Sequence, residues 1–282
     1  MKIAIAPGVR LFVDIEGAGL VRTAEGWHEK PTLILLHGGP GYDHASFKPA
    51  FSQLADLAQI IYYDHRGHGR SDPRPAEEWT LDTFADDVVR LCAVLGISKP
   101  IVLGQSFGGF VAQHYLAKYP EHPSKVILSG TSARLGLARK LAMFEQLGGE
   151  EARHAAEQFW TTPNQFSYTA YQRICKPLYF AREPEKPAAA SQTRINHDIL
   201  FTWAGGEQQT MNLLPGLARA ECPVLVLAGG LDPVCPMEEA LDMVHALPAS
   251  QVQFSPFPHC GHGVWRDDPV AAFARIRQFI LE

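Results

Sequence analysis

The sequence predicts an α/β protein, a mostly parallel, doubly wound sheet with a helical segment inserted late in the chain. Three observations predict it. Short continuous runs of Val, Ile and Leu recur along the 282 residues, most of them followed by a helical pattern. Such runs mark strands covered on both faces, as in a parallel sheet. The alternation then breaks between about residues 134 and 215, where helical periodicity and aromatic residues take over. Finally, hydrophobic residues make up 46% of the chain and charged residues 20%, enough apolar material for a large core.

Taken in order, Lys2–Ala6 and Arg10–Glu16 flank Pro7-Gly8 and predict an antiparallel hairpin at the sheet edge. The core strands follow as Thr32–Leu36, Ile60–Tyr63, Ile101–Leu103, Val126–Leu128, Val224–Leu227 and Val252–Phe254. Between two of them Leu81, Phe84, Val88, Leu91 and Leu95 step by three and four residues, the apolar stripe of a helix. Thr80 fits its N-cap and Gly96 its end. The closing helix starts at Asp267-Asp268-Pro269, with proline in its favoured first turn, and offers Val270, Phe273, Ile276 and Ile280 as a buried face.

The break in alternation contains four expected helices, Gly136–Leu147, Glu150–Trp160, Ser167–Phe180 and Ala188–Trp203, with Glu183–Pro187 as a connector. It reads as a helical cap (134–215) over a core formed by 1–133 and 216–282. Strand alternating with helix outside it completes the doubly wound sheet.

Bulk properties narrow the function. A net charge of −5 without any basic block argues against nucleic acid and anionic membrane surfaces as partners, and leaves a small-molecule substrate. The apolar run at the amino terminus stops at Pro7-Gly8, too short for a signal peptide, and no segment approaches the roughly 18 apolar residues of a membrane span. Cys92, Cys175, Cys222, Cys235 and Cys260 are odd in number and unpaired in spacing, which predicts reduced thiols and a cytoplasmic protein. The sequence carries no signal of oligomeric state.

Chemistry concentrates at the carboxyl ends of the strands. Gly104-Gln105-Ser106-Phe107-Gly108 follows the buried run Ile101–Leu103 and opens a helix through Phe110, Val111, Tyr115 and Leu116. A strand-to-helix elbow strains the backbone at its serine and needs small neighbours, which Gly104, Gly108 and Gly109 supply. A serine hydroxyl is a poor nucleophile until a base takes its proton. Asp232 follows the strand Val224–Leu227, whereas Ser129-Gly130-Thr131 after the preceding strand offers no carboxylate. His262, between Gly261 and Gly263 after the last strand, can bring its ring to the serine, while His259 follows Pro258 and fits a packing role. The triad is therefore Ser106, Asp232 and His262, in the chain order of this elbow.

His37-Gly38-Gly39-Pro40-Gly41 follows the strand Thr32–Leu36 and can present a backbone N–H to a developing oxyanion. Gly39 and the N–H of Phe107 are the expected donors. His37 reads as a hydrogen-bonding support, and Asp64, Arg66 and Ser71 as braces of a turn. A metal site at His259, Cys260 and His262 lacks a second ligand pair at metal spacing, and Cys260 reads as a small buried residue. No phosphate-cradling loop or metal set appears, so no cofactor is expected.

On these residues the chain resembles the α/β-hydrolase superfamily over nearly its whole length. The His37–Gly41 segment is similar to the signature of the proline iminopeptidase-related branch. That resemblance implies an α/β-hydrolase fold, a serine triad under a helical cap, and cap carboxylates that hold the amine of an amino-terminal proline. The chain departs from the branch at Phe107, where a tryptophan is usual. It departs again at Arg194-Ile195-Asn196-His197, which lacks the glutamate usual in that cap segment. A buried amine without a carboxylate is costly; Glu207 and Asp198 are the candidates to replace it. The expected activity is therefore hydrolysis of a small ester, lactone or amide through an acyl-enzyme. The alternatives are a prolyl aminopeptidase and a catalytically silent ligand receptor on the same scaffold.

Overall fold

The computed structural model describes residues 1–182 and 193–282. Among the described residues ten strands form: β1 Lys2–Ala6, β2 Val9–Glu16, β3 Leu20–Thr23, β4 Gly26–Glu29, β5 Thr32–Leu36, β6 Gln59–Tyr63, β7 Ile101–Gln105, β8 Lys125–Ser129, β9 Val224–Gly229 and β10 Val252–Phe257. Eight of them build one sheet in the order β1-β2-β6-β5-β7-β8-β9-β10. β1 and β2 pair antiparallel, as the hairpin reading expects, and β2 meets β6 antiparallel. From β6 onward every pair is parallel.

The alternate residues of each parallel strand enter opposite apolar layers. In β5, Ile34 and Leu36 pack in one layer with Phe84, Val88 and Leu91, and Leu33 and Leu35 pack in the other with Phe273, Ile276 and Phe279. Both faces are buried, which is why these strands read as continuous apolar runs. The first layer rests on helices α1 (Leu81–Leu95), α2 (Phe107–Lys118) and α8 (Met237–Ala246), and the second on α10 (Pro269–Leu281). α1 begins and ends as its caps predict. Thr80 accepts a hydrogen bond from Thr83 N, and Gly96 adopts the left-handed conformation.

Between β8 and β9 lie α3 (Leu137–Thr161), α4 (Gln165–Ile174), α5 (His197–Gly205), α6 (Glu207–Thr210) and α7 (Leu214–Leu217). α3 is continuous except at Gly149, whose φ of 70° breaks it where two separate helices were expected. The helix expected over Ser167–Phe180 ends at Ile174. Pro177 lacks the N–H that an α-helix would use there, and a short 3₁₀ turn, Lys176–Tyr179, follows instead. The expected Ala188–Trp203 helix begins only at His197, capped by the Asn196 side chain. Its first residues and the connector Glu183–Pro187 lie outside the described residues. A third apolar cluster unites Phe144, Phe159, Trp160, Tyr168, Tyr171 and Tyr179 of this region with Val234 and Cys235 of the core.

Two expectations need correction. Val270 is 82% exposed rather than buried. At 3.6 residues per turn it sits roughly a third of a turn away from the stripe that Ala272, Phe273, Ile276, Phe279 and Ile280 form. The sequence reading also missed the β3–β4 hairpin, which packs no buried residue and so carries no hydrophobic periodicity.

Candidate active site

Ser106 stands at the turn from β7 into α2 with φ 54° and ψ −117°, the one non-glycine residue with positive φ among those described. The elbow closes because its glycines have no side chains. A Cβ at Gly104 would lie 2.3 Å from the carbonyl oxygen of Gly108, and one at Gly108 only 2.0 Å from that of Leu36. Ser106 N donates to Ser129 O on the adjacent strand, and Thr131 Oγ1 donates to Ser106 O. The strained residue is held from both sides.

His262 Nε2 lies 3.0 Å from Ser106 Oγ, and His262 Nδ1 lies 2.9 Å from Asp232 Oδ2. Three residues far apart in sequence are thus joined in one line at the carboxyl ends of β7, β9 and β10. Asp232 is fully buried, and its Oδ1 accepts from Val234 N at 2.8 Å and Cys235 N at 2.9 Å. That turn is fastened from behind. Lys140 Nζ donates to Val234 O at 2.6 Å and lies 4.0 Å from the centre of the Trp160 ring. Burial pushes the proton affinity of Lys140 down.

The loop carrying the histidine is braced by two residues that sequence reasoning did not find. Asp267, at the end of the short helix α9 (Val264–Asp267), accepts from Gly261 N at 2.6 Å and Ala181 N at 3.1 Å. Tyr179 accepts from His262 N at 2.8 Å and sets its ring against the imidazole, with centres 5.2 Å apart. The Asp-Asp-Pro motif marked Asp267 only as a helix start; Asp268 does the capping, accepting from Ala271 N.

The His37–Gly41 loop borders the serine directly. A Cβ at Gly38 would come within 3.3 Å of Ser106 Cβ. Neither the Gly39 nor the Phe107 N–H donates to a protein group among the described residues. His37 Nε2 accepts from His65 N and its Nδ1 faces Gly38 O at 2.8 Å, so Nδ1 carries the proton of a neutral ring. Asp64 accepts from His44 N and Arg70 N, and Ser71 Oγ donates to Asp64 O. Arg66 is paired with Asp87 and Glu78. These residues brace the turn as expected.

Cys260 is buried and its thiol is pushed up to about 11 by burial, which suits an inert residue. His259 is exposed and stands apart from His262's contacts. The His259, Cys260 and His262 ligand atoms do not converge. Among the described residues the group that does converge is Asp232, Cys235 and His262, whose carboxylate and imidazole already serve each other and the turn.

The described family "alpha/beta hydrolase fold" matches residues 31–268. A proline iminopeptidase, PfmaB, from Pestalotiopsis fici is 31% identical over 247 residues, covering 81% of this chain and 85% of that one. The 3-oxoadipate enol-lactonase 2 of Acinetobacter baylyi is 29% identical over 215 residues, 74% of each chain. The crystal structure of a proline iminopeptidase from Mycobacterium smegmatis superposes with a TM-score of 0.77 at 21% identity, covering 99% of this chain and 97% of that one.

The chain belongs to the alpha/beta hydrolase fold family.

It is a hydrolase of that family and falls within its proline iminopeptidase-like branch. Within this α/β-hydrolase, of the two acids expected to stand in for the missing cap glutamate, one is engaged elsewhere and the other is exposed. Glu207 Oε2 accepts from Leu81 N at 3.0 Å and from Trp203 Nε1 at 3.3 Å. Asp198 is exposed in the first turn of α5. The Arg194–His197 segment is tied to the glycine loop instead, through Asn196 N to Gly41 O at 2.7 Å and Arg194 N to Asp43 Oδ2 at 2.9 Å. No described helix is long and apolar enough to cross a membrane.

Proposed function

We propose that this α/β-hydrolase cleaves a small ester, lactone or amide through a Ser106 acyl-enzyme, beneath a cap formed by residues 134–215. The unbroken line from Ser106 Oγ through His262 to Asp232, at 3.0 and 2.9 Å, carries the proposal. His262 Nε2 takes the hydroxyl proton as Ser106 Oγ attacks the carbonyl carbon. Asp232 accepts from His262 Nδ1–H, which leaves Nε2 as the base and stabilises the imidazolium. The oxyanion is met by the N–H groups of Gly39 and Phe107, whose lack of protein acceptors among the described residues suits that role. The tetrahedral species collapses as His262 returns the proton to the leaving alcohol or amine. Water, deprotonated by the same histidine, then releases the acid.

Prolyl aminopeptidase activity is the second reading, favoured by relatives bearing that name. It is weakened by Glu207, whose carboxylate is spent on Leu81 and Trp203. A silent receptor would have no use for an activated serine. The five buried, unpaired thiols support a reducing compartment, as in a cytoplasm.

The deciding experiment compares a short-chain aryl ester, a free prolyl anilide and its amine-blocked form, each with the enzyme and with Ser106→Ala. Ester turnover should fall by several orders of magnitude in the variant; a comparable substitution elsewhere costs about 10⁶-fold. Wild-type turnover by Ser106→Ala would refute the assignment. Fast cleavage confined to the free prolyl substrate would restore the aminopeptidase reading.

A further inference from the structure

Two cations stand on the histidine side of the site with no carboxylate paired to them among the described residues. Lys176 opens the 3₁₀ turn, and its Nζ lies 4.1 Å from the centre of the Tyr179 ring. That same ring packs against His262. Arg266 follows His262 by four residues and holds its guanidinium 4.6 Å from the Trp265 ring and 5.3 Å from the Phe180 ring. Neither cation forms an ion pair among the described residues. Among the described residues the one side-chain hydrogen bond of Arg266 is a 3.4 Å donation to Ser46 O, and Lys176 Nζ makes none. Asp267, the neighbouring acid, is committed to Gly261 and Ala181.

Other cations of this acidic chain meet either carbonyl oxygens, as Lys125 and Lys140 do, or carboxylates. Lys48, Arg66, Arg139 and Lys118 each meet two carboxylates. Lys176 is densely surrounded although part of its side chain reaches solvent, and burial together with the charge of Arg266 lowers its proton affinity to about 7. Aromatic faces offset part of the cost of such charges. They supply no lone pair for the ammonium or for the guanidinium fork, which match a carboxylate.

We propose that Lys176 and Arg266 form a subsite for a carboxylate that the substrate carries several bonds from its scissile carbonyl, so that the enzyme acts on half-esters or acid-bearing lactones. This rests on the serine-hydrolase reading. It inverts the charge logic of an amine-reading cap, because the groups without an ion-pair partner on the His262 side, among the described residues, are cations.

The test uses three aryl esters of equal length: the mono-ester of glutaric acid, the pentanoate and the 5-aminopentanoate. Each is assayed at low ionic strength with the wild type, Lys176→Gln, Lys176→Arg, Arg266→Gln and Ser106→Ala. The wild type should favour the anionic over the neutral ester in kcat/KM by about tenfold or more, chiefly through KM, the minimum expected of a charge-assisted hydrogen bond. Lys176→Gln and Arg266→Gln should each reduce that ratio, and Lys176→Arg should keep most of it. An anionic-to-neutral ratio of one or below in the wild type overturns the subsite, and so does a ratio unmoved in both glutamine variants. Ser106-dependent turnover of the neutral ester with no anion preference sinks the subsite alone. Turnover of all three esters at Ser106→Ala levels removes the hydrolase reading and the subsite together.

Discussion

Replacing Glu207 by alanine asks whether this carboxylate braces the fold or contacts substrate. Its Oε2 accepts from two donors 122 residues apart in sequence: Leu81 N, the first N–H of α1, and the indole of Trp203. The first N–H groups of a helix have no partner within it. Trp203 is 1% exposed and packs on Phe107 and Phe110 at 4.9 and 5.6 Å, so its Nε1 has little access to water. A buried donor stripped of its acceptor costs roughly 1–3 kcal/mol. The α1 amino terminus also loses a negative charge worth about 0.3–1 kcal/mol. Leu81 N recovers most of its loss by hydration at the helix end, so the sum is about 1–4 kcal/mol. For a chain of this size that is a Tm lowered by roughly 3–15 °C.

Glu207→Gln keeps an acceptor oxygen and should lose under about 1 kcal/mol. Thermal melts of both variants, read beside kcat/KM for a neutral aryl ester, separate the two roles. A Tm for Glu207→Ala indistinguishable from wild type would refute the brace. If KM for a free prolyl substrate also rose steeply in that variant, the carboxylate would be a substrate contact and the aminopeptidase reading would gain.

Asp232→Asn should retain the fold, since the amide oxygen can still accept from Val234 N and Cys235 N. It should lower kcat by about 10⁴-fold by favouring the wrong imidazole tautomer; a loss under tenfold would argue against the triad. Gly41→Ala places a Cβ 2.4 Å from Asn196 O at a φ of +85°, which costs about 1–3 kcal/mol and pushes the Arg194–Asn196 segment off the oxyanion loop. We expect kcat/KM to fall with it, and an unchanged value would show that the two segments are not coupled. Burial pushes His37, His65 and His68 below the ordinary histidine range, His68 to about 3. The unfolded chain takes up protons there near pH 6.5 and the folded chain only far lower. This part of stability is therefore whole above about pH 6.5 and is lost as pH falls below it, by up to about 1.4 kcal/mol per unit for each ring that stays neutral in the folded chain, as His68 does down to about pH 3. From pH 7 to 5.5 the Tm should drop by roughly 5–10 °C; a flat profile would mean that these rings protonate in the folded state.

What was legible in the sequence is what backbone geometry dictates locally. A strand buried on both faces admits only apolar residues, so β5 to β9 stood out. A serine at positive φ between close-packed backbones demands glycine at 104 and 108, so the elbow stood out too. Residues whose role depends on a partner elsewhere were not legible. Asp267 looks like a helix start until Gly261 and Ala181 are seen to donate to it. Lys140 looks like a surface lysine at the start of a helix until Val234 and Trp160 enclose it. The β3–β4 hairpin, with no buried residue, had no periodicity to read.

Phe107 shows how the two kinds of information differ at one position. Its N–H is placed by the elbow, and any residue other than proline would supply it. Its ring is fully buried among Phe84, His68 and Trp203, with the Trp203 ring meeting it edge-on at 4.9 Å. Phenylalanine in place of the tryptophan usual in the branch therefore reports how the inserted helix α5 seats on the core. Substrate charge is a separate matter, decided by what surrounds His262. Glu207 is engaged by Leu81 and Trp203, while Lys176 and Arg266, on the His262 side, have no carboxylate partner among the described residues. A substitution at 107 should thus move stability and cap seating before selectivity, whereas one at Lys176 should move selectivity first.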